Sequence, residues 1–299
     1  MPYIGRYAPS PTGPLHFGSL VAAVASYCDA KTHAGKWLLR IEDLDKPREV
    51  KGAADTILRQ LEAFGFEWDD EVLYQSQRSQ HYADAFDALK KQNLVYPCTC
   101  TRKEITDSSN QPGIEGLIYP RTCLTHPIKS NAVPAFRIKT NAQPICFTDL
   151  IQSEISQNLS TDIGDFVLKR ADGFFTYQLA VVVDDAAQGI THIVRGADLL
   201  NSTPRQLYLQ KLLALKQPVY AHLPVATNEF GEKLSKQTKA ESIDTYSAAQ
   251  GLCNALTFLG QKPPSDLCTY LPSEIWKWAT QNWQLNQIPQ QKCIFYNKN

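Results

Sequence analysis

The chain has 299 residues, 43% of them hydrophobic, and its 30 Lys and Arg balance its 30 Asp and Glu. This is the composition of a globular protein with a sizeable core. Zero net charge excludes nucleic-acid capture by a basic field over the whole surface, so any RNA site has to be a local patch.

Tyr3–Ala8 reads as a short buried strand. The turn that follows is stiffened by Pro9, Pro11 and Pro14, and Gly13 relieves it where a positive φ is required. After His16 come Gly18 and Ser19, then an Ala-rich apolar run too long for a strand, read as a helix ending near Gly35. A strand feeding a helix N-terminus makes an anion site, with free backbone N–H groups and the positive dipole end facing the ligand. His16 can donate from its ring to a phosphate, and Gly18 permits close approach. Alone, this His-x-Gly-Ser reads as a proline-rich turn with Ser19 as the helix cap.

Lys36–Glu42 is a second expected strand. Helices are expected over 49–64, ended by Gly65, and over 78–93. Two strand–helix units in succession point to a parallel sheet with crossover helices. From Tyr96 the composition turns to Cys, Pro, Gly, Ser and Asn. Short antiparallel strands are expected at 137–139, 147–151 and 165–170, so 96–170 is read as an RNA-facing insertion. Cys98, Cys100 and Cys123 converge near Tyr119 and His126, with spacing suited to tetrahedral zinc. Chemistry alone favours His126 as the fourth ligand, because imidazole is the commoner donor.

The sheet resumes at Thr191–Val194, preceded by a helix over 174–187. Asp198 would cap a helix reaching Leu215, with Pro204 interrupting it. Residues 228–239 form a polar loop opened by Gly231 and carrying Lys233, Lys236 and Lys239. A solvated loop is the bland reading. The functional one is a mobile clamp whose Lys233 and Lys236 reach triphosphate oxygens while Leu234 anchors it to the body. Residues 241–299 are expected to be largely helical, with Trp276, Trp278 and Trp283 as packing residues. The expected parts are thus 1–95 and 171–240, the halves of a Rossmann-like α/β doubly wound domain, the 96–170 zinc-bearing α+β insertion, and 241–299. The start lacks a signal-peptide layout, no membrane span is seen, and eight scattered cysteines suit reduced thiols. A cytoplasmic monomer is expected.

Arg6-Tyr7-Ala8-Pro9-Ser10-Pro11-Thr12-Gly13, Leu38–Asp43, Val194–Leu199 and Lys233-Leu234-Ser235-Lys236, in that order, resemble the glutamyl branch of the class I aminoacyl-tRNA synthetases. The resemblance covers about residues 3 to 240. Ser19 stands where the first signature has its second histidine, Leu234 replaces Met, and Gln237 replaces the final Ser or Arg. Only about sixty residues follow Lys236, too few for a large helical anticodon-binding region. The chain therefore resembles the shortened glutamyl-queuosine tRNA(Asp) synthetase family. That resemblance implies activation of L-glutamate with Mg2+ and ATP, without tRNA. Transfer to the queuosine base at the wobble position of tRNA(Asp) would follow. The alternatives are a synthetase charging a 3′ terminal adenosine, or a catalytically silent module binding RNA or amino acid.

The same resemblance implies roles for single residues. His16, Lys233 and Lys236 would be catalytic, with Gly18 and Ser19 at the ATP. Arg6 and Arg195 would take carboxylates, since guanidinium pairs with them bidentately. Glu42 would take the ammonium, and Tyr177 and Ser10 would add hydrogen bonds. Singly, each has a plainer reading: Glu42 could pair with Arg40 or Lys46, and Arg195 could be a surface strand residue. At the metal, the family's C-x-C and Y-x3-C pattern selects Tyr119, with His126 as the alternative to complete one structural Zn2+ site with the three cysteines.

Overall fold

The computed structural model describes residues 2–234 and 241–297. Strand β1 (Ile4–Tyr7) pairs in parallel with β2 (Lys36–Ile41), and β2 with β3 (Asp69–Tyr74). Helix α1 (Phe17–Thr32) crosses from β1 to β2, and α2 (Ala53–Ala63) from β2 to β3. Strand β3 is an element the sequence pattern missed, because it opens on Asp69-Asp70-Glu71 and so lacks an apolar start. Helix α2 starts later than expected, after a short 3-10 turn at Lys46–Arg48. Helix α3 (Ser79–Lys91) leads into the 96–170 region.

That region contains β4 (Val95–Cys98), α4 (Arg102–Ser108), the hairpin β5 (Pro112–Gly113) and β6 (Gly116–Leu117), and α5 (Thr122–Thr125). Next come β7 (Ala135–Ile138), β8 (Pro144–Asp149), β9 (Ser153–Asn158), α6 (Leu159–Asp162) and β10 (Val167–Lys169). Strand β7 lies between β4 and β10, antiparallel to both. The β8–β9 hairpin instead joins the second parallel block. There β11 (His192–Gly196) pairs with β12 (Val219–Leu223), and β12 with β8. The two parallel blocks meet at β1 and β11, where the Thr191 N–H donates to Ile4 O at 2.9 Å.

Between the strands run α7 (Tyr177–Ala187) and α8 (Thr203–Leu212). Pro204 does not interrupt α8. It sits in its first turn, where a missing N–H costs nothing. Asp198 falls within a 3-10 segment (Ala197–Ser202) instead of capping the helix. Beyond β13 (Val225–Thr227) the C-terminal region holds α9 (Ala248–Phe258) and α10 (Pro272–Asn282). It also supplies a strand, β14 (Cys293–Phe295), parallel to β13, in a region expected to be largely helical.

The main core forms where α1 is sandwiched between the sheet and these last helices. Leu20, Val24 and Cys28 meet Trp37, Leu39, Leu252, Leu256 and Ile275. Each fully buried aliphatic side chain contributes about 1.5–3 kcal/mol. Trp276 and Trp283 are buried and donate their indole N–H groups to Phe64 O (2.9 Å) and Asp29 Oδ1 (3.0 Å), so these two pack. No helix among the described residues is long and apolar enough to cross a membrane.

Candidate active site and cysteine cluster

The C-terminal ends of β1, β2 and β11 open into a cleft of about 560 Å³. In open α/β sheets such strand ends are where ligands sit. Arg6, Ser10, His16, Gly18, Ser19, Glu42, Tyr177, Arg195 and Lys233 all line it. Lys236 lies outside the described residues.

The proline corner is tied to the second strand. Pro9 O accepts the Glu42 N–H at 3.0 Å, and Pro11 O accepts the Val50 N–H at 3.0 Å. Gly13 has φ 129°, a conformation that side chains other than glycine's adopt at a cost. His16, not Ser19, is the N-cap of α1: its Nδ1 accepts the Ser19 N–H at 3.3 Å. With Nδ1 engaged as an acceptor, the proton of a neutral ring sits on Nε2. The ring lies over Gly18, where an added Cβ would be 3.3 Å from it.

The lysine loop starts as a hairpin. Asn228 N–H donates to Glu232 O at 2.9 Å, and Leu234 N–H donates to Ala226 O at 2.8 Å. Leu234 packs against the main core, as an anchor would. The two signature segments come together here: a Cβ at Gly18 would lie 3.7 Å from Leu234 O. Lys233 Nζ donates to Asp198 Oδ2. Asp198 in turn folds over Gly196, where an added Cβ would meet its Oδ1 at 2.4 Å and push the carboxylate aside.

Arg6 is 4% exposed, and its Nε donates to Asp185 Oδ1 at 3.2 Å. The same oxygen accepts from Arg40 Nη1 at 2.8 Å, and Arg40 Nη2 donates to Glu42 Oε1 at 3.2 Å. Glu42 therefore lines the cleft and pairs with Arg40 at once. Burial raises the pKa of Asp185, but Arg6 and Arg40 outweigh it and hold the carboxyl below its ordinary range. For Glu42 burial wins over the two arginines, with Asp185 adding repulsion, and its pKa is raised. Asp185 was missed at the sequence level. Its only signal was an acid pair in the apolar stretch Val181–Ala187, at 184 and 185.

Arg195 is buried and held by uncharged acceptors. Its Nε donates to His222 Nε2 (3.0 Å), and its Nη2 to Thr203 Oγ1 (2.9 Å) and Gln206 Oε1 (2.8 Å). Nη1 donates to Tyr177 Oη at 3.3 Å. The bidentate use expected of Arg195 is thus narrowed, because its Nε–Nη2 edge is occupied and only the Nη1 side faces the cleft. None of His222, Thr203 and Gln206 carried a motif.

Away from the cleft, the sulfurs of Cys98, Cys100 and Cys123 lie within 4.8 Å of one another. Cys100 Sγ is 3.4 Å from Cys123 Sγ and 3.5 Å from Tyr119 Oη, and Tyr119 Oη accepts the Cys123 N–H at 2.9 Å. Tetrahedral zinc–thiolate bonds of about 2.3 Å separate sulfurs by about 3.8 Å, so the donor set fits a metal. His126 is exposed, its Nδ1 shares a 2.9 Å hydrogen bond with Thr125 Oγ1, and it is not part of this group.

Comparison with known proteins agrees with this geometry. The family described as tRNA synthetases class I (E and Q), catalytic domain, matches residues 4–265. A glutamyl-Q tRNA(Asp) synthetase of Dechloromonas aromatica is 55% identical over 98% of both chains. One of Chromobacterium violaceum is 54% identical over 96% of this chain and 95% of its own. Among solved structures, the glutamate-tRNA synthetase of Elizabethkingia anophelis superposes with a TM-score of 0.80 at 24% identity. That match covers 99% of this chain and 68% of the other, and it speaks to the fold alone. The chain belongs to the class I tRNA synthetase (E and Q) catalytic-domain family, within its glutamyl-Q tRNA(Asp) synthetases.

Proposed function

We propose that the cleft activates L-glutamate with Mg-ATP, without tRNA, and passes it to the queuosine base at the wobble position of tRNA(Asp). One observation carries this reading: Gly18 and Leu234 approach each other in the same cleft that holds Arg6, Glu42, Tyr177 and Arg195. A nucleoside triphosphate gripped by both segments would have its α-phosphorus beside a bound amino acid.

In the first step a glutamate carboxylate oxygen bonds to the α-phosphorus and pyrophosphate leaves with the electron pair of the broken P–O bond. The protein supplies no nucleophile. His16, donating from Nε2, and Lys233 and Lys236 stabilise the added charge, while Gly18 and Ser19 flank the nucleotide. Lys233 would leave Asp198 to do so. Arg6 and Arg195 take the carboxylates, Glu42 the ammonium, and Tyr177 and Ser10 the remaining hydrogen bonds. In the second step a hydroxyl of the queuosine diol attacks the acyl carbon and AMP departs. Cys98, Cys100, Cys123 and Tyr119 would hold one zinc, which pins the loop structurally and takes no part in the reaction. The domains would be 1–95, 96–170, 171–240 and 241–299, with the β8–β9 hairpin of the second laid against the sheet of the third. The eight free cysteines fit a reducing cytoplasm, where the enzyme would act as a monomer.

The test is glutamate-dependent pyrophosphate exchange with and without tRNA, followed by mapping of the labelled nucleotide. Exchange without tRNA and label on the wobble base are expected. Absence of exchange would overturn the activation step, and label on a 3′ adenosine would overturn the acceptor. Arg6→Ala and Lys236→Ala proteins exchanging at the full rate would refute their assigned roles.

A further inference from the structure

Three residues stand in a row across neighbouring strands: Asp149 at the end of β8, His222 on β12 and Arg195 on β11. Tyr220 is in register with Asp149, and His222 with Arg195. All three are buried, and Asp149 and His222 have fully enclosed side chains. Asp149 Oδ1 accepts the backbone N–H groups of Ile151 (3.0 Å), Gln152 (2.9 Å) and His222 (3.1 Å), so the carboxylate cannot rotate without losing all of them. Its Oδ2 is 2.6 Å from His222 Nδ1.

Chemistry decides where the imidazole proton is. Arginine has N–H donors and no acceptor, so His222 Nε2, 3.0 Å from Arg195 Nε, must present a lone pair. A carboxylate opposite Nδ1 requires a donor there. Asp149 and Arg195 together demand one neutral tautomer, Nδ1–H with a lone pair on Nε2, and the Thr203 hydroxyl, 3.1 Å from Nε2, can donate to the same lone pair. An Nε2–H tautomer, or the imidazolium, would set one N–H against another beside a fixed cation. Burial is the largest influence on His222 and lowers its pKa to about 4, against the pull of the Asp149 bond and with help from the Arg195 charge. The Tyr220 ring lies beneath the guanidinium at 5.4 Å and stacks parallel to His222 at 6.0 Å. Thr203 and Gln206 close the remaining edge, and only the Nη1 side of Arg195 stays on the cleft beside Tyr177 Oη.

We infer that Asp149 and His222 are positioning residues for glutamate: the carboxylate sets the imidazole tautomer, and the bare Nε2 aims Nη1 of Arg195 at the substrate carboxylate. This rests on the reading of Arg195 as a substrate ligand. A neutral anchor suits that task, because a carboxylate in direct contact with Arg195 would compete with the substrate for its charge.

Asp149→Asn is the discriminating variant. The asparagine Oδ1 can keep the three backbone bonds, which turns its amide N–H group toward His222 Nδ1 and forces the proton onto Nε2, against Arg195. The expected result is a ~10- to 100-fold rise in the KM for glutamate, the scale of one lost hydrogen bond to a charged group, in pyrophosphate exchange. The maximal rate and the KM for ATP should move less than about threefold, since the lost interaction serves substrate and transition state alike. His222→Ala should behave the same way, and His222→Gln, which restores an acceptor near the Nε2 position, should recover most of that loss. In the wild-type enzyme, long-range 1H–15N imidazole spectra at neutral pH should show the Nδ1–H tautomer for His222. That measurement decides the matter if the variants fail to fold. An unchanged glutamate KM in Asp149→Asn, an equal rise in both KM values, or an Nε2–H or imidazolium signature overturns the inference. Arg195→Ala separates the two layers: if it leaves the glutamate KM unchanged, the Arg195 reading itself falls and takes this one with it.

Discussion

The two arginines of the cleft are fixed in opposite ways. Arg6 is held by an anion, Asp185, which it shares with the buried Arg40, and Glu42 completes a set of two cations and two carboxylates. Arg195 is held by an imidazole, a hydroxyl and an amide, and the Asp149 carboxylate is linked to it only through His222. The Arg6 side is balanced by ion pairs, whereas Arg195 has no ion-pair partner among the described residues. The comparison teaches that a buried cation can be positioned without being neutralised, provided neutral acceptors satisfy its donors.

Removing the anion breaks the first arrangement most severely. Asp185→Ala leaves Arg6 and Arg40 buried without their shared partner, and stability should fall by about 3–5 kcal/mol, read by denaturant unfolding. Stability that stays within about 1 kcal/mol would mean the pair is not the anchor described.

Acid separates the two sides. Asp185 has a depressed folded pKa, so its contribution is present above the unfolded carboxylate range near pH 4 and is lost as pH falls below it. His222 is depressed from 6.5 to about 4. In that interval the unfolded chain binds a proton that the folded chain refuses, so stability declines from about pH 6.5 downward, by about 3 kcal/mol at pH 4. The Asp149 carboxyl, lowered chiefly by His222 against its own burial, adds a loss at lower pH still. Unfolding free energies measured between pH 7 and 4 should show this slope, and His222→Gln should remove it. A slope identical in both proteins would assign it elsewhere.

Within the cleft, Arg6→Ala should lower glutamate-dependent exchange (kcat/KM) by ~10- to 100-fold, as expected for losing a hydrogen-bonded charge contact. Arg6→Lys should recover little, because an ammonium cannot replace a planar fork. The smallest effect is expected at the remote cysteine cluster. Elemental analysis should find one zinc per chain. A chelator should lower the thermal midpoint while leaving the glutamate KM within about twofold. A large change in that KM would tie the cluster to the cleft and blur the distinction between the two arginines.

Legibility in the sequence followed locality. The proline corner, the helix behind it and the lysine hairpin were readable because their chemistry lies in consecutive residues with strong backbone preferences. The close-spaced Cys98 and Cys100 were readable for the same reason, whereas Tyr119 beside them came from the family resemblance, local chemistry having favoured His126. Strand β3 was hidden by three acidic residues at its start, and β14 by being only three residues long. Asp185 looked like one more acid on a helix. His222 sat in Tyr220-Ala221-His222-Leu223, where nothing local distinguishes an anchor from a core residue.

By itself, then, the order of residues determined which backbone corners and charged loops exist, since φ restriction, helix preference and ligand spacing act within a few positions of the chain. Only the tertiary structure decided that Gly18 meets Leu234, that Asp185 reaches back to Arg6, and that Asp149 and His222 stand behind Arg195. Those partners are 27 to 216 residues apart, and the bonds between them form only once parallel strands from distant segments lie side by side.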